Sequence, residues 1–519
     1  MIVKGFIKRG AYHDSVTLML VSKEINQTPG VLDSGVVMAT VQNIALLSEA
    51  GLFLPEYEGC SDSDLIVSVK SETPDAADMA IANTESRLKG IKDAPGQSGK
   101  PVFRSLSAAV SSVSGVNLAL ISVAGRYAAA EALRALESGL NVMLFSDNVS
   151  IEDEISLKTL AKEKGLLMMG PDCGTSIING VPLAFANVVN RGNIGLVAAS
   201  GTGLQEVSSI ISNLGGGISQ AIGTGGRDVK KQVGGIMFIE AMKALANDSE
   251  THCLVLISKP PDAEVLQAIS KEISVIEKPV VAILIGGNPD TLRKSGAIPA
   301  TTLEEAAQIA VSLINGQSPN NAIESLESRN HQITARAKLL ATTTGGKYIR
   351  GLFSGGTLCD EAQLVMKDTL GFVYSNTPLS EKYMLVNANQ SREHTLVDLG
   401  DDEFTRGKPH PMIDFSLRVQ RIHKETADPE VAVILFDLVL GYGSHPDPLS
   451  ELLPAIEKAL FINPSLIFIC AVCGTDGDPQ GRQRVSEKLA GAGVEVMPSN
   501  AAASLLASQV IVSLYAHQR

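Results

Sequence analysis

The stretch NIGLVAASGTGLQEVSSIIS, residues 193–212, decides the fold. Its first half is a short, continuously apolar run, as expected of a strand buried on both faces, and its second half switches to the 3.6-residue spacing of a helix. The switch falls at Ser200-Gly201-Thr202-Gly203, with no loop between. A strand that runs straight into a helix presents that helix's free N–H groups and positive dipole end above the strand, so the junction suits an anion. Gly201 and Gly203 let the backbone approach a ligand closely, and Ser200 and Thr202 carry hydroxyls. A plain N-cap with tight-turn glycines explains the same letters.

The pattern recurs in YIRGLFSGGTLCDEAQLV, residues 348–365, where Ser354-Gly355-Gly356-Thr357 stands at a second strand-to-helix junction. Segments 193–316 and 346–515 share one rhythm of Ser-Gly-terminated strand, helix, and further strands ending in Gly or Pro, and read as structural duplicates. Two such helix N-termini facing each other would hold a phosphate between Thr202 and Thr357. Glu206, one helical turn in, is a candidate to orient a reacting partner, and capping or helix solvation accounts for it equally.

Upstream, residues 2–90 alternate strand and helix, with hydrophobic spacing switching between two and about 3.6, which fits a small split-βαβ unit. IKDAPGQSGKPVF, residues 91–103, with Pro95, Gly96, Gly99 and Pro101, reads as a linker. Apolar runs VNLALISVA, NVMLFS and GLLMMG alternate with helical segments between residues 105 and 175, the mark of buried parallel strands with crossover helices. The polar segment QSPNNAIESLESRNHQ, residues 317–332, divides the two duplicates.

A chain of 519 residues has length for about three or four domains. With 45% apolar and 19% charged residues it is not disordered, and a net charge of -13 makes nucleic acid an improbable partner. No signal peptide and no uncharged apolar run of about 20 residues is found, so no membrane partner and a cytoplasmic location are expected. Six dispersed cysteines read as reduced thiols, and the CxxC pair Cys470 and Cys473 as a buried strand end.

GLVAASGTGLQE, with GPDCGT upstream and AIGTGGRD downstream, is similar to the α subunit of succinyl-CoA synthetase, over about residues 117–316. Past residue 345, FSGGTLCDEA, HTLVDLG and AVILFDLVLG resemble the C-terminal domain of that enzyme's β subunit. The order of the parts, with GAYHDSV and DLGDDEFTRGKPHPMID, resembles the FdrA proteins, the acyl-CoA synthetase-like branch. The resemblance implies an α/β chain with a small ferredoxin-like unit at 1–95 and a truncated Rossmann-like CoA-binding unit at 96–190. Two flavodoxin-like ligase domains follow, one of α-subunit type at 191–320 and one at 340–519 of the type that ends the β subunit. It further implies CoA as a cofactor, with Arg126, Tyr127, Asp147 and Asn148 at the CoA-like or substrate site, phosphate as substrate or ligand, a homo-oligomer, and partner subunits.

Three departures bear on function. The family's phosphohistidine belongs in the loop after KPVVAILIGG, where this chain reads NPDTLRKSGAI, with Lys294 and Ser295 and no histidine. Neither residue forms the labile phosphoramidate of a histidine. The CoA unit's glycine-rich loop is reduced to Lys8-Arg9-Gly10-Ala11-Tyr12-His13-Asp14-Ser15, whose basic pair can meet an anion or simply be solvated. No segment reads as an ATP-grasp nucleotide domain.

DLGDDEFTRGKPHPMID concentrates Asp398, Asp401, Asp402, Glu403, Arg406, Lys408, His410 and Asp414 after a short strand, at the ligand edge of a parallel sheet. His410, held between Pro409 and Pro411, is the first candidate for an acid, base or phosphate-binding histidine, ahead of His394, His445 and His13. Asp401, Asp402 and Glu403 offer oxygen ligands of the kind that hold Mg2+, and an acidic helix start explains them as well.

Three functions follow from this. The first is acyl-CoA synthetase-like handling of an acyl or carbamoyl phosphate and a small carboxylate. The second is carbamoyl transfer from oxalurate to phosphate, giving oxamate and carbamoyl phosphate, as in purine and allantoin catabolism. The third is a scaffold that has kept the fold without the chemistry.

Overall fold

Residues 1–92 alternate strand and helix as their spacing requires: β1 (Ile2–Lys8), α1 (Ser15–Asn26), β2 (Val31–Met38), α2 (Val41–Glu49), β3 (Leu65–Ser71) and α3 (Pro74–Lys92). The strands form an antiparallel sheet of order β1-β3-β2, the split-βαβ arrangement expected. Leu18, Val36, Leu65, Val67 and Val69 fill its core. Arg9 donates to Asp64 at 2.9 Å, as does the Gly10 N–H, so the basic pair after β1 is partly spent on the unit's own carboxylate.

The computed structural model describes residues 1–11, 13, 15–92, 103, 105–285, 287–405 and 408–517. The linker read at 91–103 lies almost wholly outside the described residues, as do Tyr12, Asp14 and Arg406. Two compact units are formed, residues 1–112 with 402–409, and residues 113–401 with 410–519. No helix among the described residues is long and apolar enough to cross a membrane.

After α4 (Leu106–Ser112), the larger unit starts with β4 (Leu118–Ile121), α5 (Gly125–Glu137), β5 (Asn141–Leu144), α6 (Ile151–Glu163) and β6 (Met168–Met169), a parallel sheet of three strands. There follow β7 (Thr175–Ile178), β8 (Val181–Ala184), β9 (Arg191–Ala198), α7 (Gly201–Asn213), β10 (Ile218–Gly223), α8 (Ile236–Asn247), β11 (Cys253–Ser258), α9 (Ala263–Ile273), β12 (Val280–Leu284), α10 (Pro289–Ser295), β13 (Ile298–Pro299), α11 (Leu303–Ile314) and α12 (Pro319–Ala341). The last series is β14 (Tyr348–Phe353), α13 (Gly356–Leu370), β15 (Tyr374–Ser375), β16 (Thr395–Asp398), α14 (Asp402–Thr405, in the smaller unit), α15 (Ser416–Thr426), β17 (Val431–Val439), α16 (Leu449–Ile462), β18 (Ile467–Cys473), α17 (Arg482–Gly491), β19 (Val494–Met497) and α18 (Asn500–His517).

The middle sheet has the order β13-β12-β11-β9-β10-β7-β8 and the last β15-β16-β14-β17-β18-β19. Without the added hairpin β7–β8 and the short β15, both repeat one doubly wound order, with the first strand, β9 or β14, at the point where the order reverses. Ligands of such sheets bind outside the carboxyl ends of the strands at that reversal. Both Ser-Gly junctions stand there.

Two differences from the sequence reading have physical causes. The hairpin at 175–184, placed by sequence with the 96–190 unit, pairs antiparallel with β10 and joins the middle sheet. The polar divider at 317–332 folds into α12, because Ala322, Leu326, Ile333, Ala337 and Leu340 make a buried stripe at helical spacing among polar neighbours.

Helices α7, α11, α12, α13 and α18 form a layer between the two large sheets, and one apolar core runs through both. On the other face of the middle sheet, Met143 and Met169 of the small sheet join Phe238, Met242 and Leu256. An ion group fastens this junction: the fully buried Lys158 ammonium donates to Glu154, Asp228 and the Thr224 carbonyl at 2.8 to 3.0 Å. Asp228 also accepts the Phe238 N–H at the start of α8. Removing one member of a buried ionic group strands the others, at a cost of about 3–5 kcal/mol. Lys158→Met is therefore expected to lower stability by about that amount, read as a lowered urea midpoint.

Candidate active site

Ser200 follows β9 by two residues, takes extended geometry and caps α7 by accepting the Gly203 N–H at 3.0 Å. Its hydroxyl also lies 2.7 Å from that of Thr357, on the first turn of α13. The two junctions expected to face each other therefore touch. A Cβ on Gly355 would fall 2.5 Å from Thr202 Oγ1, so only glycine permits the approach. Thr202 and Thr357 thus stand on two first turns in contact, with Gly201 exposed and Gly356 half-buried.

Ser354 is not an anion donor. Its N–H and hydroxyl both donate to Asp437, at 2.8 to 3.0 Å, and Asp437 is gripped by the fully buried Arg418 at 2.6 Å. This buried pair fixes the turn that launches α13. Gly355, the N-cap of α13, makes no side-chain cap bond, so the first-turn amides lack the hydroxyl acceptor that α7 has.

Glu206 is likewise bound within the protein. It is buried, and its carboxylate accepts the N–H of Asn500, the first residue of α18, at 2.9 Å. Glu361 occupies the same position in α13, five residues past the first glycine, and accepts the N–H of Leu303, the first residue of α11, at 2.7 Å. Each duplicate's first helix thus caps the last helix of the other. The Asn500 amide links the pair by donating to Glu361 at 2.7 Å. Burial pushes Glu206 up to about 7 and Glu361 up to about 8.

Two residues from different sheets complete the rim of α13. Lys259 follows β11 and makes an ion pair with Asp360 at 2.7 Å. Burial works to lower its ammonium, but Asp360 outweighs it and holds Lys259 above its ordinary range. Asp398 ends β16 and is 7% exposed. Its Oδ1 accepts the Gly400 N–H at 2.9 Å, while a Cβ on Gly356 would meet its Oδ2 at 2.7 Å and Lys259 Nζ at 3.4 Å. Burial pushes Asp398 up to about 7. Asn376 holds the Asp398 backbone from both sides, accepting its N–H and donating to its carbonyl at 2.9 Å.

His410 borders the same place. A Cβ on Gly400 would lie 2.9 Å from His410 Nε2, and the ring leans on Phe185 at 6.3 Å between centroids. Its Nδ1 accepts the Met412 N–H at 3.3 Å, which puts the ring proton on Nε2. Burial, helped by Arg418, brings it down to about 4, so at neutral pH His410 is an uncharged donor and a weak base. His394, by contrast, accepts the Ile349 N–H near the start of β14, at the opposite edge of the sheet.

Arg126, Tyr127, Asp147 and Asn148 come together at the carboxyl edge of the small sheet. Arg126 lies 4.8 Å over the Tyr127 ring at the start of α5, and the carbonyls of Asp147 and Asn148 press on Gly125. All four are exposed. Lys294 and Ser295 belong to α10; Ser295 is buried and donates to the Leu292 carbonyl at 2.7 Å, and Lys294 is exposed. Cys470 and Cys473 are buried, unpaired residues of β18, as expected. A cavity of about 560 Å³ lies at the far edge of the middle sheet, lined by Asn190, Arg191, Asn193, Glu250 and His252.

These parts are those of the CoA-binding and CoA-ligase domains of the succinyl-CoA synthetase superfamily: residues 352–510 match the CoA-ligase family and 189–286 the CoA binding domain. The CoA binding match thus lies almost wholly past the 96–190 segment. Along 98% of its length the chain is 43% identical to the "Uncharacterized protein YahF" of Escherichia coli, covering 99% of it, and belongs to that protein's family. It is 29% identical to the succinate–CoA ligase [ADP-forming] subunit alpha 2 of Archaeoglobus fulgidus, over 36% of this chain and 65% of that subunit. It is 28% identical to the malate–CoA ligase subunit alpha of Methylorubrum extorquens, over 42% of this chain and 77% of that subunit. Residues 1–101 match the "AllF, heavy metal-associated domain". That segment has one cysteine, Cys60, and one histidine, His13, and no group among the described residues is suited to hold a metal, so its residues do not fit the ion in that name.

The crossed glutamates predict a pH dependence. An unfolded glutamate titrates near 4.5, whereas Glu206 and Glu361 keep their protons to about 7 and 8. The folded state binds more protons in this window, so their contribution is complete at low pH and is lost as pH rises through it. The urea midpoint is expected to fall between about pH 5 and pH 8.5, and Glu206→Gln with Glu361→Gln to flatten that fall.

Proposed function

We propose that the chain is an acyl-CoA synthetase-like enzyme, or the subunit of one, that moves an acyl or carbamoyl group to or from phosphate without a phosphohistidine. The observation that carries this is the convergence of α7 and α13 beside Lys259, Asp398 and His410, at the carboxyl edges of two duplicate sheets. Fixed donors aimed at developing negative charge need no reorganisation during reaction, and a site of this kind favours an acyl phosphate and its transition state over a neutral ester. His410 Nε2, beside the Phe185 ring, would serve as a hydrogen-bond donor to the reacting group.

CoA, when bound, supplies a thiol that accepts the acyl group. Arg126 and Tyr127 at the start of α5, with Asp147 and Asn148, are the residues that would hold it, an exposed cation and aromatic face suiting an anionic nucleotide end. Homo-oligomerisation and partner subunits belong to this proposal.

A second reading, carbamoyl transfer from oxalurate to phosphate with release of oxamate, is favoured by one observation. The segment 288–298, where a phosphohistidine loop is expected, holds α10 and contains no histidine.

The experiment is turnover of acetyl phosphate with CoA, and of carbamoyl phosphate with oxamate, with and without candidate partner subunits. Product is expected with one pair, with no phosphate label retained on the protein, and His410→Asn is expected to lower the rate about 10²-fold. A phosphorylated protein would contradict the proposal. Absence of turnover under every condition would leave a scaffold.

A further inference from the structure

The cavity at the amino edge of the middle sheet lies within the larger unit, at the far end of β9 from Ser200. Its volume of about 560 Å³ falls in the range of small-molecule sites. Three turns wall it: residues 190–193 entering β9, residues 215–217 between α7 and β10, and Glu250 with His252 before β11. Glycine keeps it hollow. A Cβ on Gly192 or Gly217 would fall 2.5 Å from the facing backbone, and Gly215 has a φ of +82°. Asn190 fastens this wall by donating to the Ser212 and Gly216 carbonyls at 3.1 and 3.3 Å. The corresponding edge of the last sheet is filled by its own charges, Arg350 pairing with Glu425 at 2.9 Å and Asp428 at 2.8 Å, and Arg421 with Glu425 at 2.9 Å. No such pairing closes the cavity. Arg191 donates to the Ser219 carbonyl at 3.3 Å and meets no carboxylate among the described residues. Glu250 donates its N–H to Asp248 at 3.2 Å, and its carboxylate meets no cation among the described residues. The Asn193 amide nitrogen can only donate, so His252 Nδ1, 3.2 Å away, accepts and Nε2 bears the ring proton.

We propose that this cavity is a binding site for a small zwitterionic aminocarboxylate, with Arg191 and His252 Nε2 receiving its carboxylate and Glu250 its ammonium. Opposite charges that line one cavity without pairing suit a ligand that carries both. A simple anion would face Glu250, and a simple cation would face Arg191. The planar guanidinium matches a carboxylate at two points, and charge-assisted bonds of this kind are about twice as strong as neutral ones. Ile314, the last residue of α11, adds an apolar wall that suits a short aliphatic side chain on the ligand. The eight residues of β9 separate the cavity from the Ser200 junction by about 25 Å, so the occupant is not the reacting molecule. The site is therefore additional to group transfer and does not rest on that proposal.

L-Valine is the probe, with isovalerate and isobutylamine as matched compounds that each lack one of its two charges. Isothermal titration calorimetry of the full chain at neutral pH, without phosphate or CoA, is expected to show L-valine bound at least about tenfold more tightly than either. Arg191→Met and Glu250→Gln are each expected to lower the affinity for L-valine at least about tenfold. Both side chains are exposed, so the urea midpoint of each variant is expected to stay at the wild-type value and lost binding is not lost folding. Unchanged affinity in either variant, isovalerate or isobutylamine bound as tightly as L-valine, or no binding of L-valine by the wild type would each overturn the site.

Discussion

Two helices begin face to face in the middle of this protein, and most of what surrounds them answers that constraint. The starts of α7 and α13 carry partial positive charge and unpaired amides, and they are brought into contact through Ser200 and Thr357, 2.7 Å apart. Such an approach is unfavourable unless polar groups are supplied nearby. The chain supplies them in two layers. Below the contact, Glu206 and Glu361 reach across the duplicate axis to cap α18 and α11. Above it, Asp360 and Asp398 stand with Lys259 at the open rim.

The acids of both layers are buried, and their hydrogen-bond partners separate them. Glu206 accepts a backbone N–H at one oxygen, and Glu361 accepts a backbone N–H at one oxygen and the Asn500 side-chain amide at the other. Asp398 commits one oxygen to Gly400 and leaves the other directed at the helix start. Ser354 looks like part of the upper layer in sequence, yet Asp437 and Arg418 hold it as a buttress under the turn. The same Ser-Gly letters therefore do different work in the two duplicates: Ser200 caps its helix directly, whereas Ser354 anchors a turn whose helix is left uncapped.

The α/β class, the split-βαβ start, the duplication and both strand-to-helix junctions were legible because each depends on local periodicity and on glycines at fixed positions. Asp398 and His410 could be singled out because they lie in one polar loop after a strand. Lys259 could not. It sits in an ordinary Ser-Lys-Pro-Pro turn, and its partners Asp360 and Asp398 are more than one hundred residues away in the other duplicate. The capping target of Glu206 was hidden for a related reason: Asn500 lies at the far end of the chain, and only the packing of α7 against the last duplicate reveals it. The helical stripe of α12 was hidden by polar residues between its apolar positions.

The central claim is that the start of α13, rather than a phosphorylated side chain or the space between the two junctions, receives the anion. A crystal structure of the chain grown or soaked with inorganic phosphate tests it most directly. Density bridging Lys259 Nζ and the Gly356–Thr357 amides, within hydrogen-bond reach of Asp398 Oδ2, is the result expected. Phosphate found only in the cavity by Arg191 and His252 at the opposite edge of the sheet, with the α13 rim unchanged, would contradict it.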